Sequence, residues 1–267
     1  MKKHISLIIA TACTICLVWS CSKDIDHVAP TSSPEGFAYI KIGHFAPNFG
    51  TILNGKDSFN VYVGGTTQAP GTKLNGAFLT YGSIFPSTTN LYAAVPAGTQ
   101  FIRITVNGIA NGVTIPDSLT LKSFTKTLTA GSYYSLIFTD SLLSANESKQ
   151  IFVQDNFAIA DTMHYSIRFV HAIVNDTLGQ NVDVYSTRLG ANIFTNVSPG
   201  AVTAFTAEPY NIVADTFIVR RTGIPFELAR LNAAILARQR AITLVYKGQP
   251  ATTTGTKARS LVLFNNQ

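Results

Sequence analysis

The segment Ile40-Lys41-Ile42-Gly43-His44 decides the fold, because it returns in the second half of the chain as Ile167-Arg168-Phe169-Val170-His171. The first copy alternates its apolar residues with a period of two, which is typical of a β-strand. Four more short apolar segments recur in the same order: Phe59–Tyr62 with Val182–Tyr185, Phe101–Ile102 with Phe217–Ile218, Leu136–Phe138 with Leu244–Tyr246, and Ile151–Val153 with Leu261–Leu263. Ordered recurrence of this kind predicts a duplicated unit.

The composition fits two folded β-domains. The 267 residues are about two domains long, with 46% hydrophobic and only 13% charged residues. This balance excludes an intrinsically disordered protein, and the absence of Lys/Arg runs argues against a nucleic-acid-binding protein. We therefore predict an all-β fold with two tandem antiparallel β-sandwich domains, immunoglobulin-like or transthyretin-like, over residues 37–158 and 165–267.

One segment of the second copy is ambiguous. Residues 226–238 have a helix-favouring composition, but their counterpart in the first copy, residues 118–130, is rich in Ser and Thr. The repeat therefore predicts a strand at 226–238 and leaves a helix as the alternative.

The N-terminus has the pattern of a secretory signal peptide, with a basic start and an apolar run over 5–19 that is too short to span a bilayer. Cys13 and Cys16 lie inside this run, so Cys21 alone would remain after cleavage, which favours a lipid carrier over a disulfide. We predict a signal peptide at 1–20, then a lipidated N-terminus and a flexible tether at 21–36. An uncleaved anchor, or a plain signal peptide cut elsewhere, is the alternative.

The residues around Cys21 carry a resemblance. Val18-Trp19-Ser20-Cys21 resembles a bacterial lipoprotein signal, and the acidic residues that follow resemble a Bacteroidota-type surface-export signal. The resemblance implies an outer-membrane lipoprotein that is exposed at the cell surface or, alternatively, faces the periplasm.

A second resemblance covers both repeats. Gly43-His44-Phe45-Ala46-Pro47 and Asn60-Val61-Tyr62 in the first copy, and Val170-His171-Ala172 and Val182-Asp183-Val184-Tyr185 in the second, are similar to the motifs of domain of unknown function 4397. The family has Asp where this chain has Asn60. The resemblance implies a β-sandwich module of secreted bacterial proteins and no established activity. The motif positions with expected structural roles are His44, Pro47, Tyr62, His171, Asp183 and Tyr185.

Catalytic and metal-binding patterns are missing from the sequence. Neither His44 nor His171 has a partner at metal-ligand spacing, and their recurrence in both copies favours structural roles. Asp183 lies between two valines, so we expect it on the face opposite theirs. The sequence contains no nucleophile motif, no phosphate-binding glycine loop and no recurring pair of glutamates. We therefore expect no enzyme, no cofactor and no metal.

Two surface features leave alternatives open. Four Asp-Ser/Thr pairs resemble a Bacteroidota-type O-glycosylation motif and would carry sugars on Ser118, Ser141, Thr162 and Thr177, although turn chemistry also explains them. Residues 160–267 carry eight of the nine arginines of the predicted mature chain. Those that could bind a carboxylate or phosphate are Arg220, Arg221, Arg230, Arg238 and Arg240; an ordinary basic surface is the alternative.

The sequence thus favours a non-catalytic envelope lipoprotein that acts in binding, adhesion or envelope structure. Its partners would be the membrane, through the lipid anchor, and a glycan or an envelope protein, but no nucleic acid. One alternative is a glycan-binding accessory lipoprotein of a polysaccharide-uptake system, with Tyr81, Phe85 and Tyr92 as stacking aromatics. A second is a pilus-like subunit that donates a strand, and a hydrolase built from distant residues is a third.

Overall fold

A computed structural model describes residues 36–48, 57–66, 69, 71–87, 91–110, 113–139, 150–158, 161–176 and 181–267. Within these ranges every regular element is a strand, and no helix is long and apolar enough to cross a membrane. The all-β prediction is confirmed. Cys21, Ser141, Thr177 and the predicted signal peptide lie outside the described residues.

The first half of the described chain contains ten strands: β1 (Phe37–His44), β2 (Ser58–Val63), β3 (Thr72–Lys73), β4 (Leu79–Thr80), β5 (Ile84–Phe85), β6 (Ala93–Pro96), β7 (Gly98–Ala110), β8 (Val113–Leu128), β9 (Tyr133–Phe138) and β10 (Ile151–Gln154). They form two sheets. One has the order β10-β9-β1-β5 with β6 also paired to β1, and the other has the order β3-β2-β7-β8 with β4 also paired to β2.

The second half repeats this arrangement with eight strands: β11 (His164–His171), β12 (Val182–Ser186), β13 (Ala191–Val197), β14 (Thr206–Pro209), β15 (Asp215–Arg221), β16 (Glu227–Ala234), β17 (Ala241–Lys247) and β18 (Ser260–Asn265). Its sheets have the orders β14-β11-β17-β18 and β13-β12-β15-β16. The strand β16 confirms the prediction of a strand within residues 226–238.

The register shows the duplication residue by residue. Ile42–His44 of β1 lie beside Leu136–Phe138 of β9, and Phe169–His171 of β11 lie beside Leu244–Tyr246 of β17. Both pairs are parallel within otherwise antiparallel sheets, a detail that the sequence pattern does not predict.

Two of the sequence matches are wrong by one residue. Ile102 of β7 and Phe217 of β15 occupy the same place beside β2 and β12, so Phe217 corresponds to Ile102 instead of Phe101. In the same way Val262 corresponds to Ile151 beside β9 and β17. These strands carry apolar residues on both faces, so the apolar pattern alone does not fix their register.

Each half has its own hydrophobic core between its two sheets, and a third apolar cluster joins the halves. The third cluster contains Ile137, Val170 and Val245, each of which is flanked along its strand by residues that face its own core. Their side chains therefore point away from that core, and the outer faces of the β1 and β11 sheets pack against each other. Residues Gly36–Gln267 form one compact unit; independent folding of residues 37–158 and 165–267 stays a prediction.

A buried ion pair crosses this contact. The Nη2 of Arg168 donates to Oδ1 of Asp155 at 2.5 Å, and the two side chains are only 2% and 0% exposed. The other carboxylate oxygen, Oδ2, accepts hydrogen bonds from Tyr92 at 2.6 Å, Ser135 at 2.7 Å and Asn266 at 3.3 Å. Residues from both halves thus share one carboxylate.

Candidate functional site

An open cavity of about 370 Å³ lies at one end of the second sandwich. Two loops form it, the hairpin between β15 and β16 and the longer connection between β17 and β18. The lining residues are Arg221, Phe226, Glu227, Leu228, Pro250, Thr252, Thr253 and Arg259.

Arg221 occupies an inward-facing position at the end of β15. Phe217 and Val219, the preceding residues of the same alternation, are completely buried in the core. Arg221 corresponds through the register to Val106, which is 2% exposed in the core of the first half. Among the described residues, none accepts a hydrogen bond from the buried Nε of Arg221.

The hairpin holds Arg221 beside an exposed aromatic ring. The backbone N–H of Arg221 donates to the carbonyl of Phe226 at 3.1 Å, and Gly223 provides the positive φ of the turn at 75°. The guanidinium lies 5.8 Å from the centre of the Phe226 ring. Phe226 is 60% exposed, so the hairpin presents an apolar ring to solvent at the rim of the cavity.

Arg259 is fixed in the opposite wall. Its guanidinium donates to the Tyr246 hydroxyl at 2.7 Å, to Asp176 at 3.2 Å and to the Pro250 carbonyl at 3.2 Å. Burial raises the pKa of Tyr246 to about 12, and the nearby charge of Arg259 acts in the opposite direction. The Tyr246 ring packs edge-on against His171, with centroids 5.0 Å apart. His171 therefore lies behind the residues that hold Arg259.

The charged groups around the cavity differ in whether they have an ion-pair partner. Asp176 is paired with Arg259, and Glu227 is paired with Arg230 through two hydrogen bonds. The hydrogen bond from Arg230 lowers the pKa of Glu227, so this carboxylate stays ionised. Among the described residues that line the cavity, Arg221 is the one charged group without an ion-pair partner.

The five arginines predicted to bind an anion do not line one site. Arg220 stacks over the ring of Tyr185 at 3.8 Å and lines a different cavity of about 190 Å³. Arg240 lines a third, of about 270 Å³. Arg230 pairs with Glu227, and Arg238 is exposed. Of these five arginines, only Arg221 lines the cavity that also has the exposed ring of Phe226.

The predicted stacking aromatics Tyr81, Phe85 and Tyr92 do not line this cavity, and their contact with a sugar stays a prediction. Tyr92 donates to Asp155 within the contact between the halves. The ammonium of Lys247 lies over Tyr81, 4.6 Å from its centroid, and Phe85 packs against the first core. The sequence did not single out Phe226, although the turn Thr222-Gly223-Ile224-Pro225 just before it is a signal that a ring is presented on a hairpin.

The motif residues of the first half lie in buried contacts. His44 is completely buried against Phe59, with ring centroids 4.4 Å apart, and burial lowers its pKa to about 3. Pro47 is buried in the turn that follows β1.

Asp117 joins the motif residues Asn60 and Tyr62. Its carboxylate accepts hydrogen bonds from Asn60 at 2.6 Å, Tyr62 at 2.8 Å and Thr105 at 2.9 Å. Burial acts to raise the pKa of Asp117, but these hydrogen bonds outweigh it and lower the pKa. An aspartate in place of Asn60 would bring a second carboxylate against Asp117.

The second half has a carboxylate, Asp183, at the position of Asn60. It lies on the face opposite the buried Val182 and Val184, and it accepts from Thr222 at 2.9 Å and from the backbone of Asn196 at 2.8 Å. These contacts tie β12 to the neighbouring strand β13 and to the turn that follows β15.

Ser118 and Thr162, two of the four predicted glycosylation sites, are exposed, and their modification stays a prediction. Among the described residues, no three His, Cys, Asp or Glu side chains are arranged to hold a metal ion.

Comparisons with known proteins give few matches. No family model and no curated protein matches the chain. Among solved structures, it is similar to a Bacteroides thetaiotaomicron VPI-5482 protein (DUF1812) for which polysaccharide binding has been suggested. The two are 10% identical over 79% of this chain and 92% of the other, with a TM-score of 0.18. A TM-score this low does not indicate a shared fold.

Proposed function

We propose that this protein is a non-catalytic glycan-binding lipoprotein of the bacterial cell envelope, and that the cavity between the β15–β16 and β17–β18 loops holds the glycan. One observation carries the proposal: the exposed ring of Phe226 stands at a cavity whose other walls offer the hydroxyls of Thr252 and Thr253 and the guanidinium of Arg221. Ligand sites combine an apolar aromatic surface with a few polar groups that fix orientation. A sugar ring, with an apolar C–H face and hydroxyls at its edge, matches that combination.

The carboxylates at the cavity support binding over hydrolysis. Glycoside hydrolysis requires a carboxylic acid with a raised pKa that can protonate the leaving group. The pKa of Glu227 is instead lowered by Arg230, and Asp176 is held by Arg259.

The membrane anchor is supported by the sequence around Cys21. Acyl chains on this residue would add about 0.8 kcal/mol per buried CH₂ and hold the protein stably when several are present. Mass spectrometry of the protein from membranes should show an acylated N-terminal Cys21, and a Cys21→Ser variant should lack the acyl mass. An N-terminal peptide without acyl groups in the unsubstituted protein would refute the anchor.

Strand donation is disfavoured for the C-terminal segment. The strand β18 is paired along its length with β17 in its own sheet, and this pairing does not support its donation to another subunit.

A glycan array tests the proposal. The purified protein should bind a defined group of glycans, and Phe226→Ala should weaken that binding at least about tenfold by removing the stacking surface. Phe78→Ala is the matched control, because Phe78 is 39% exposed but belongs to the first half. Failure to bind any glycan, or equal losses in both variants, would refute the proposed site.

A further inference from the structure

The side chain of Arg221 is the unexplained feature of the cavity. Buried N–H groups in native proteins nearly always have an acceptor, because leaving one unpaired costs stability. The Nε of Arg221 is buried, and among the described residues none accepts from it. The first half has an apolar residue, Val106, at the same strand position. The second half thus carries a guanidinium where a valine would complete the core.

The surroundings of Arg221 favour an anion. Glu227 would repel a negative ligand if it were unpaired, but Arg230 holds both of its carboxylate oxygens. Asp176 is likewise neutralised by Arg259. One unit of positive charge therefore remains at the cavity, and it belongs to a planar fork that suits a carboxylate better than the point charge of a lysine.

We infer that the cavity selects acidic glycans, with the carboxylate of a uronic acid residue bound by Arg221 while its ring stacks on Phe226. The distance of 5.8 Å between the guanidinium and the ring centre allows one sugar to touch both. This inference rests on the proposed function and names the class of glycan that the site takes.

Calorimetric titration of the full-length protein with oligogalacturonate and with its fully methyl-esterified form tests the inference. The two probes share the same sugar backbone, and esterification removes the charge of each carboxyl group and adds a methyl group to it. We expect the acidic form to bind about 10- to 100-fold more tightly, which is the range of a charge-assisted hydrogen-bond pair. Arg221→Gln should remove this preference, so that the acidic form and the ester bind with equal affinity, and Arg221→Lys should restore only part of it. The matched control is Arg238→Gln, which changes an exposed arginine outside the cavity.

Stability provides a second readout. Arg221→Val introduces the residue type that the first half has at the equivalent position, Val106. It should raise the melting temperature by completing the core, and it should abolish the preference for the acidic probe. The inference is overturned if both probes bind equally, if sulfated but not carboxylated sugars bind, or if Arg221→Gln keeps the preference. In those cases a loss of binding in Phe226→Ala would leave the proposed function standing. If no glycan binds, both proposals fail.

Discussion

Asp155→Ala should weaken the contact between the two halves of the molecule and lower the free energy of unfolding. The carboxylate of Asp155 holds Arg168 from the second half and accepts hydrogen bonds from Tyr92, Ser135 and Asn266. In Asp155→Ala the guanidinium of Arg168 would remain in the same place, 2% exposed and without its counter-charge. A buried charge in that state is far more costly than a broken surface pair.

The magnitude follows from the burial of both partners. Removing one member of a buried pair costs about 3–5 kcal/mol, and we expect the free energy of unfolding to fall by this amount. With an m-value of about 3 kcal/mol per M for urea, the midpoint should fall by about 1 M or more. The double variant Asp155→Leu/Arg168→Met removes both charges and should regain at least half of the loss.

Urea unfolding followed by fluorescence and circular dichroism gives the required free energies. Glu227→Gln is the matched control, because it breaks an ion pair whose side chains are 37% and 50% exposed and should cost less than about 1 kcal/mol. A loss in Asp155→Ala as small as in this control would show that the carboxylate does not join the halves. So would a double variant no more stable than the single one.

Three further substitutions probe particular contacts. Gly43→Ala should lower the free energy of unfolding in urea by about 1–3 kcal/mol, because the added Cβ would lie 2.7 Å from a neighbouring ring. Gly76→Ala is the control and should lower it far less, because the space around Gly76 is open. Equal losses in the two variants would refute the close packing. In Asn60→Asp the new carboxylate would face that of Asp117, and the repulsion between the two charges would raise the pKa of the pair. Stability should therefore fall by about 2–4 kcal/mol at pH 7 and by less near pH 4, and a loss that does not depend on pH would contradict this. Burial lowers the pKa of His44 to about 3. The contribution of this neutral, buried imidazole to stability is therefore present above pH 6.5 and is lost on acidification. His44→Gln should therefore remove about 2 kcal/mol of the decrease in stability between pH 7 and pH 5, and identical pH slopes in the two proteins would refute the shift.

The duplication was predictable because its signal is spread over five strands. The repeated motif at His44 and His171 marks the same end of β1 and β11, and the fold keeps the order of every matched segment. The parallel pairs were not predictable, because a strand with apolar residues on both faces can pair in either direction. The contact between the halves has the same origin, since Ile137 and Val245 extend the apolar run to the outer face.

The cavity was missed because of the register of one strand. With Phe217 matched to Phe101, Arg221 would correspond to Thr105, whose hydroxyl bonds to Asp117 on the outer face. The observed register is shifted by one residue, which turns Arg221 inward to the position of Val106. Arg221 continues the alternation of the inward-facing residues of its strand, and this position indicates the cavity. The sequence shows which residues face inward only when the strand pairing is known.

Hydrogen exchange of the backbone amides, measured with and without oligogalacturonate, tests the central claim that the two loops form the glycan site. We predict slower exchange in residues 221–228 and 249–259, with the rest of the described chain unchanged. Protection that appears only in the first half, or no protection at saturating sugar, would contradict the account.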